Sequence, residues 1–269
     1  MGLIYGKNPV IEAISSGKTI NKIYVAKGSK DVYDIIKMAK DKRIVVVESD
    51  KQKLDKMIEH KNSQGIVASV TDYEYYTIQD ILDYAKQKNE PPFVIILDKI
   101  EDPHNLGAII RSAECMGVHG IIIQKRNACQ ITDTVEKVAA GATSFVRVAR
   151  VTNITESIKM LKENGLWIYG LDMEGASNIY DTKFDGAIGI VVGNEGDGIS
   201  RLVRENCDFM VKIPMTGKIN SLNASVSTAI SIYEVVRQKN KTWEYFILKP
   251  FYHYKTKGVF LQTLPSLKG

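Results

Sequence analysis

The stretch FVIILD (Phe93–Asp98) decides the fold, because it is an almost uninterrupted apolar run. Such a run is typical of a strand that is buried on both faces of a parallel sheet. Similar runs recur at residues 118–123, 145–148, 166–171, 188–192 and 209–213. Helical patterns separate most of them, at residues 106–116, 154–163 and 222–237. We therefore predict an α/β domain with a parallel sheet over residues 93–240.

The residues before this domain form a smaller α/β unit in our interpretation, over residues 1–72. Strand-like runs stand at 23–26, 44–47 and 65–70, with helical patterns at 32–39 and 51–60 and a helix start signal at Asn8-Pro9. Residues 73–92 are interpreted as a linker that contains a short helical pattern. Residues 241–269 are a separate tail, rich in lysine and aromatic residues.

The composition excludes several classes of protein. Apolar residues make up 44% and charged residues 25% of the 269 positions, as in ordinary globular proteins. No apolar run approaches the roughly 18 residues of a membrane span, and the first residues do not form a secretory signal. Cys115, Cys129 and Cys207 are odd in number and far apart, without a CxxC pair. We expect buried thiols in a reducing cytoplasm, and neither disulfide nor metal site.

The net charge of +5 is unevenly distributed along the chain. Residues 241–269 contain five lysines and one acidic residue, Glu244, so they account for most of the excess. The rest of the chain is almost balanced in charge. A polyanionic partner would therefore be bound through local patches of the body rather than through a global field.

The segment IGIVVGNEGDGIS, residues 188–200, is the first candidate for a ligand site. A predicted strand ends in a loop with glycines at 193, 196 and 198, and a helix is predicted to begin near Ser200. Ligands of open α/β sheets bind beyond the carboxyl ends of strands, and glycine lets the backbone approach them closely. The spacing GxxGxG differs from the GxGxxG of dinucleotide folds, and no GxxxxGK[ST] is present. Taken alone, the loop is equally consistent with an ordinary turn.

Two further segments end predicted strands with polar residues. In 97–123, a turn at 102–105 is followed by a helix that Asn105 is predicted to cap, with Arg111 six residues later. His104 in this turn is not expected to have a chemical role. In 213–238, Ser221 and Asn223 stand where the last helix begins. The small residues 224–229 of that helix are predicted to pack against a partner helix, as in a dimer.

Capping would explain each polar residue singly, but the three strand ends together predict a polar pocket. It would offer glycine backbone, a carboxylate, a guanidinium, amides and hydroxyls. No nucleophile pair, metal cluster or Ser-His-Asp arrangement accompanies them. We therefore expect chemistry whose reactivity lies in a bound organic cofactor.

In this order and spacing, the three segments resemble the motifs of the SpoU/TrmH branch of the SPOUT RNA methyltransferases. The matching stretches are NLGAIIRSAE, VVGNEGDGIS and IPMTGKINSLNASVSTAISIYEVVRQ. The N-terminal stretches YGKNPVIEAI, IYVAKGS and SQGIVAS are similar to the ribosomal-protein-like RNA-binding domain of ribosomal RNA guanosine 2′-O-methyltransferases. The resemblance extends to about residue 240. It implies a parallel sheet threaded into a deep trefoil knot, one of the exceptions to unknotted topology, and a homodimer.

The resemblance also implies a reaction and residue roles. The protein would transfer a methyl group from S-adenosyl-L-methionine to a ribose 2′-hydroxyl, which we expect to belong to a guanosine of large-subunit ribosomal RNA. The implied catalytic residues are Asn105, Arg111, Glu195, Ser221 and Asn223, and the implied cofactor-binding residues are Gly193, Gly196, Ile213 and Leu222. We interpret Arg111 as a cation that holds a phosphate and stabilises the alkoxide, because a guanidinium with a pKa above about 12 is a poor base.

Several alternatives remain open at this point. The RNA could be transfer RNA, or the target could be an adenosine of a resistance-type enzyme. A non-catalytic RNA-binding ribosome-assembly factor is the main rival, and a nicotinamide-dependent reductase is disfavoured by the glycine spacing. The tail at 241–269, with its seven aromatic residues, could stack on RNA, but we favour an adventitious extension whose deletion leaves methylation nearly intact.

Overall fold

The computed structural model of the protein describes residues 2–59, 61–71, 73–217 and 221–239. The predicted tail at 241–269 lies outside the described residues. Two separate β-sheets organise the described part of the chain, one with four strands and one with seven.

The N-terminal sheet is mixed and has the strand order β1-β4-β2-β3. Its strands are β1 (Gly2–Tyr5), β2 (Ile20–Ala26), β3 (Val46–Ser49) and β4 (Ile66–Val70). Strand β4 runs antiparallel to both of its neighbours, whereas β2 and β3 are parallel. The helices are α1 (Lys7–Ser15), α2 (Tyr33–Asp41) and α3 (Lys51–Met57), with a 3-10 turn at Lys30–Val32. Helices lie on both faces: Ile14 and Ile35 pack with Ile66 on one, and Leu54 with Val67 on the other.

The C-terminal sheet is parallel throughout and has the order β7-β6-β5-β10-β8-β11-β9. Its strands are β5 (Phe93–Asp98), β6 (Gly120–Gln124), β7 (Arg147–Val151), β8 (Trp167–Leu171), β9 (Ser177–Asn178), β10 (Ile188–Gly193) and β11 (Phe209–Lys212). The α/β fold with a parallel sheet and a preceding small α/β unit is thereby confirmed.

Six helices and a 3-10 turn cover the described part of this sheet. They are α4 (Ile78–Gln87), α5 (Pro103–Cys115), α6 (Asp133–Ala139), α7 (Ile154–Glu163), α8 (Arg201–Asn206), α9 (Ala224–Lys239) and the turn Ala142–Ser144. Buried residues of α5, α6 and α9 share one core with the sheet, and those of α4, α7 and α8 share the other. Both faces of the sheet are therefore apolar, which explains the continuous apolar runs in the sequence.

The strand order places a crevice between β5 and β10. From β5 the chain proceeds to β6 and β7 on one side, whereas β10 has β8 and β11 on its other side. The loops that leave these two adjacent strands therefore diverge at their carboxyl ends, where open α/β sheets bind ligands.

The segment at residues 73–92 packs along the edge strand β7. The Tyr73 hydroxyl donates to the carbonyl oxygen of Val146 at 3.2 Å and accepts from the amide of Val148 at 3.1 Å. Tyr76 forms an isolated parallel bridge with Ala149. Thr77 then caps α4 in a capping box with Asp80. These contacts cover the edge of β7, which would otherwise be open to solvent.

Local features of two helices, α5 and α1, differ from the expectations. Asp102, not Asn105, caps α5, because its carboxylate accepts from the amide of His104 at 2.9 Å and Asn105 lies inside the helix. Gly6 precedes α1, so Asn8 does not cap that helix either. The small residues of α9 were predicted to pack against a partner helix; α9 packs beside α5 in the same chain, and Thr228 is fully buried.

Strands β3, β6 and β7 each begin two residues later than the apolar runs predicted. Residues 145–148 were expected in a strand, but β7 begins at Arg147 because Phe145 ends the 3-10 turn and is 70% exposed. The longest helix that the structure describes, α9, has 16 residues, and none of the described helices is long and apolar enough to cross a membrane.

Candidate active site and cofactor pocket

The side chains of Asn105, Glu195 and Asn223 form one hydrogen-bonded cluster at the crevice. Asn105 Nδ2 donates to Glu195 Oε1 at 2.6 Å, and Asn223 Nδ2 donates to the same oxygen at 3.1 Å. Asn223 Nδ2 also donates to Asn105 Oδ1 at 2.8 Å. Each residue comes from a different one of the three polar segments. The structure therefore brings the three segments together at one point.

The orientation of the Asn223 amide is fixed by its second role as a helix cap. Its Oδ1 accepts from the backbone amides of Ser225 at 3.0 Å and Val226 at 3.3 Å, at the start of α9. Since the oxygen is occupied by these amides, the Nδ2 group must face Asn105 and Glu195. Asn223 therefore caps α9 and at the same time forms part of the site.

Two helix N-termini converge on the Glu195 carboxylate. Asn105, which is 5% exposed, lies in the first turn of α5. The backbone amide of Ala224, the first residue of α9, donates to Glu195 Oε1 at 3.3 Å. The amino ends of both helices carry partial positive charge, which favours a carboxylate at this place.

The loop that carries Glu195 is held at both ends. Asn194 Oδ1 accepts from the amides of Gly196 at 2.8 Å and Asp197 at 2.7 Å. At the far end, the buried Asp98 Oδ2 accepts from Ser200, from its amide at 2.7 Å and from its hydroxyl at 2.5 Å. The sequence did not point to Asp98, although a carboxylate at the end of a buried strand was a visible signal.

Gly193 is required by a close backbone approach. A Cβ atom at this position would lie 2.0 Å from the carbonyl carbon of Gly198, which no side chain can tolerate. At Gly196, a Cβ atom would meet only Asn194 Oδ1 at 3.5 Å, an ordinary contact. The backbone packing of the loop therefore requires glycine at position 193, whereas position 196 has room for a small side chain.

A pocket of 310 Å³ opens beside this loop. Residues implied by the resemblance that line it are Gly193, Glu195, Gly196, Ile213, Ser221 and Leu222. Its size falls at the lower end of the range that small organic ligands occupy. All four predicted cofactor-binding residues are therefore brought to one cavity, next to the cluster of Asn105, Glu195 and Asn223.

An ion pair that the sequence analysis missed forms another wall of the pocket. Asp172, which follows β8, pairs with Arg204 of α8, and the Asp172 side chain is only 10% exposed. Its Oδ1 also accepts from the amide of Glu174 at 2.9 Å. The acid follows the apolar run 166–171, but only the strand order β10-β8 shows that it adjoins the glycine loop.

The charges that line the pocket suit a positively charged organic ligand. Among the residues that the structure describes, four acidic residues and one arginine line it: Asp172, Glu174, Glu195 and Asp197, with Arg204. Leu171, Val192 and Leu222 add apolar surface for a ring system. A sulfonium cofactor with an adenine ring matches both properties.

Arg111 is placed apart from the cluster within one chain. It follows Asn105 by six residues on α5, about 9 Å along the axis, and points to a different face of the helix. Its side chain is exposed, and no hydrogen bond or ion pair joins it to another described residue. Of the five implied catalytic residues, three are thus hydrogen-bonded together, Ser221 lines the pocket, and Arg111 lies outside.

The cysteines do not supply an activated thiol. Burial raises the pKa of Cys129 to about 11 and that of Cys207 to about 12, so both thiols are protonated near neutral pH. Three buried thiols were expected, but Cys129 and Cys207 are only partly buried and Cys115 is exposed at the end of α5. Among the residues that the structure describes, no group of three or more His, Cys, Asp or Glu side chains is arranged to hold a metal ion.

Comparison with known proteins identifies the family of the chain. The model of the SpoU rRNA Methylase family matches residues 92–233, and that of the RNA 2′-O ribose methyltransferase substrate binding domain matches residues 3–76. YacO of Bacillus subtilis, named for the TrmH family of tRNA/rRNA methyltransferases, is 41% identical and covers 90% of this chain and 97% of its own. A Staphylococcus epidermidis protein of the same family name is 45% identical, covering 90% of this chain and 98% of its own.

A similar fold has been solved in the SpoU methyltransferase AviRb from Streptomyces viridochromogenes. One AviRb structure has a TM-score of 0.55 at 26% identity and covers 88% of this chain and 89% of its own. A second was solved with the cofactor AdoMet, at a TM-score of 0.54 and 23% identity, covering 88% and 89%.

The fold and the matches define the class as RNA methyltransferase. Within that class, the chain belongs to the SpoU rRNA methylase family.

Proposed function

We propose that this protein transfers a methyl group from S-adenosyl-L-methionine to a ribose 2′-hydroxyl of ribosomal RNA, at a guanosine of the large subunit. The observation that carries the proposal is the hydrogen-bonded cluster of Asn105, Glu195 and Asn223 beside a glycine-lined, acid-rich pocket. The cluster provides a fixed polar surface next to the cavity that would hold the cofactor.

The pocket residues would hold the cofactor. Gly193, Gly196, Ile213 and Leu222 would contact it through backbone groups, and the neighbouring carboxylates would complement its positive charge. When bound, S-adenosylmethionine supplies an electrophilic methyl group on sulfur. AviRb, a protein of the same fold, was solved with this cofactor, which supports the assignment.

The protein side chains would position the ribose and stabilise charge. Asn105 and Asn223 would orient the loops around the hydroxyl, with Glu195 holding both amides in place. Ser221 would donate to the substrate or its phosphate. Arg111 would hold the adjacent phosphate and stabilise the developing alkoxide, because a guanidinium is a cation with several hydrogen-bond donors.

The position of Arg111 favours a homodimer in which a second copy completes the site. Arg111 is exposed on α5, which packs beside α9. On α9, Val226 and Ile230 are 46% and 38% exposed at a spacing of four residues, so they share one face. An exposed apolar face on α9 and an exposed arginine on the neighbouring helix α5 fit an isologous contact between two copies. The trefoil knot implied by the family resemblance is part of the same proposal.

The choice of ribose and of ribosomal RNA is supported by the domain matches. Residues 3–76 match a model named for RNA 2′-O ribose methyltransferase substrate binding, and residues 92–233 one named for rRNA methylases. The similar proteins are named for both tRNA and rRNA, which keeps transfer RNA as the second candidate.

Mapping the methylated nucleoside tests the proposal. Large-subunit ribosomal RNA and unfractionated transfer RNA are each incubated with protein and labelled cofactor, digested to nucleosides and analysed by mass spectrometry. We expect 2′-O-methylguanosine from the ribosomal RNA alone. A label on a base, or on transfer RNA alone, would contradict the proposal. No label on either RNA, with no cofactor binding by isothermal titration, would favour the non-catalytic assembly factor.

A further inference from the structure

Three cationic residues lie where the two sheets adjoin, close enough for two of them to act on the charge of the third. Arg150 of β7 donates from Nη1 to Oδ1 of Asn21, a buried residue of β2, at 3.2 Å. Lys125 follows β6, and its amide donates to the carbonyl of Val151, the residue after Arg150, at 2.8 Å. Arg43 stands in the turn before β3, the strand that pairs in parallel with β2. We call Arg43, Lys125 and Arg150 the junction cations.

The junction cations have no acidic partner in the described part of the chain. The partners of the Arg150 guanidinium are the amide oxygen of Asn21 and the ring of Tyr75, whose centroid is 4.4 Å away, and both are neutral. Neither Arg43 nor Lys125 forms an ion pair with a described residue. Burial, and then the positive charges of Arg150 and Arg43, lower the pKa of Lys125. Like charges held together without compensation favour the binding of an anion.

The junction cations lie on the same edge of the sheet as the candidate active site. Lys125 leaves the carboxyl end of β6, as Asn105 follows β5 and Glu195 follows β10. The loops after β5 and β6 are tied together, because the amide of Lys99 donates to Gln124 Oε1 at 3.3 Å. In the order β7-β6-β5-β10, strands β6 and β7 lie about 10 and 14 Å from β10, at one strand spacing each.

We propose that the junction cations bind the phosphate backbone of the RNA substrate where it passes from the N-terminal domain to the catalytic edge. The inference rests on the proposed function, since it takes RNA as the substrate. Phosphates at regular spacing can neutralise cations from both domains at once, which a single small anion cannot do. Binding of the backbone there would also fix the angle at which a target nucleotide reaches the pocket. The strands β6 and β7 lie about 10 and 14 Å from β10, which leads into the pocket.

The salt dependence of RNA binding tests this surface. The variants are Arg43→Gln, Lys125→Gln and the double substitution; Arg150 is left intact because it holds Asn21. The control is Lys86→Gln, an exposed lysine in the last turn of α4, a helix that leads to the amino edge of the sheet. Binding of fluorescently labelled large-subunit ribosomal RNA and of unfractionated transfer RNA is measured by anisotropy at several salt concentrations. Isothermal titration with S-adenosylmethionine checks that each variant is folded.

We expect the slope of log affinity against log salt to fall by about 0.9 for each substituted junction cation, and not for Lys86→Gln. Cofactor affinity should not change. Equal slopes in wild type, Arg43→Gln and Lys125→Gln would overturn the inference, even if the wild type methylates a ribose. If Lys125→Gln loses cofactor binding, that variant is set aside. The salt slope of Arg43→Gln compared with that of the wild type then decides whether the inference stands. A reduced slope together with a methyl group on a base would support the junction surface while contradicting the proposed ribose target.

Discussion

The side-chain amide of Asn223 donates a hydrogen bond to Asn105 Oδ1 at 2.8 Å, across 118 positions of the chain. The same amide group donates to Glu195 Oε1, and the Asn223 oxygen caps α9. Every polar atom of this side chain is therefore engaged. Asn223 joins the start of α9, the glycine loop and α5. A substitution that changes its hydrogen bonds should therefore affect the position of all three.

Asn223→Asp should reduce methyl transfer about 100-fold while leaving the helix cap in place. Aspartate caps helices as well as asparagine does, but it would put a second carboxylate next to Glu195 and remove the amide donors. The two carboxylates would raise each other's pKa, so part of the activity should return as the pH is lowered and one of them takes up a proton. The measurement is the turnover rate between pH 5.5 and 8.

Asn164→Asp is the matched control for this prediction. Asn164 is exposed and bonds only to the carbonyl of Met160 among the side-chain contacts that the structure describes. Its variant should keep the wild-type rate at every pH. Asn223→Asp with a normal rate, or with a pH profile that merely parallels that of the wild type, would show that the cluster does not position the reacting groups.

Gly193→Ala and Gly196→Ala should have opposite outcomes although they are three residues apart. The first places a Cβ atom 2.0 Å from the Gly198 backbone, so the loop must move; the second meets only a side-chain oxygen at 3.5 Å. We expect Gly193→Ala to lower the free energy of unfolding by about 2 kcal/mol or more and to lower cofactor affinity. Gly196→Ala should leave the free energy of unfolding near that of the wild type. Urea unfolding and isothermal titration measure the two quantities, and equal behaviour of the variants would refute the distinction.

Much of this arrangement was predictable because parallel strands leave a clear signal. The continuous apolar runs predicted the strands, and the polar residues after them predicted one site at their carboxyl ends. The helix Ile154–Glu163 agrees with its prediction to the residue, since Asn153 caps it and its apolar spacing is regular. The resemblance then selected Asn105, Glu195 and Asn223 from many polar loop residues.

Contacts that depend on which strands become neighbours could not be predicted from the sequence. Asp172 and Arg204 meet at the pocket only because β8 lies beside β10. Taken alone, the pattern around Asn105 predicted a helix cap, because a cap and a buried site residue look alike until Glu195 is placed beside it. The strand β1 (Gly2–Tyr5) was missed because four residues next to the chain start give no periodicity to recognise.

Stability should depend on pH through His119, far from the site. Its ring is 2% exposed, Nδ1 accepts from the amide of Phe93 at 3.0 Å, and Nε2 therefore carries the proton and faces Glu90 Oε2 at 3.1 Å. Burial lowers the pKa of His119 below 6.5, outweighing the opposing effect of Glu90. As the pH falls below 6.5, the unfolded chain binds this proton before the folded one does, and stability decreases.

The difference in unfolding free energy between wild type and His119→Gln should expose this effect. Above pH 6.5 the difference should be constant, and below it the wild type should lose stability faster than the variant. His104→Gln changes an exposed histidine of the α5 turn and should leave the pH dependence of the wild type intact. Parallel curves for wild type and His119→Gln would show that this ring is not the titrating group.

Arg111 should act on the cluster of the other copy in a homodimer, which subunit complementation can show. If Arg111→Ala and Asn223→Asp subunits are joined in one dimer, one site receives both native residues and the other receives neither. A heterodimer purified through two different tags should then have about half of the wild-type rate, although each variant homodimer is inactive.

The mirror experiment joins wild type with the double variant: every site then has one defect, so the dimer should be inactive. If Arg111 instead acts within its own chain, the two heterodimers exchange their results, and a protein that light scattering shows to be monomeric would exclude sharing altogether.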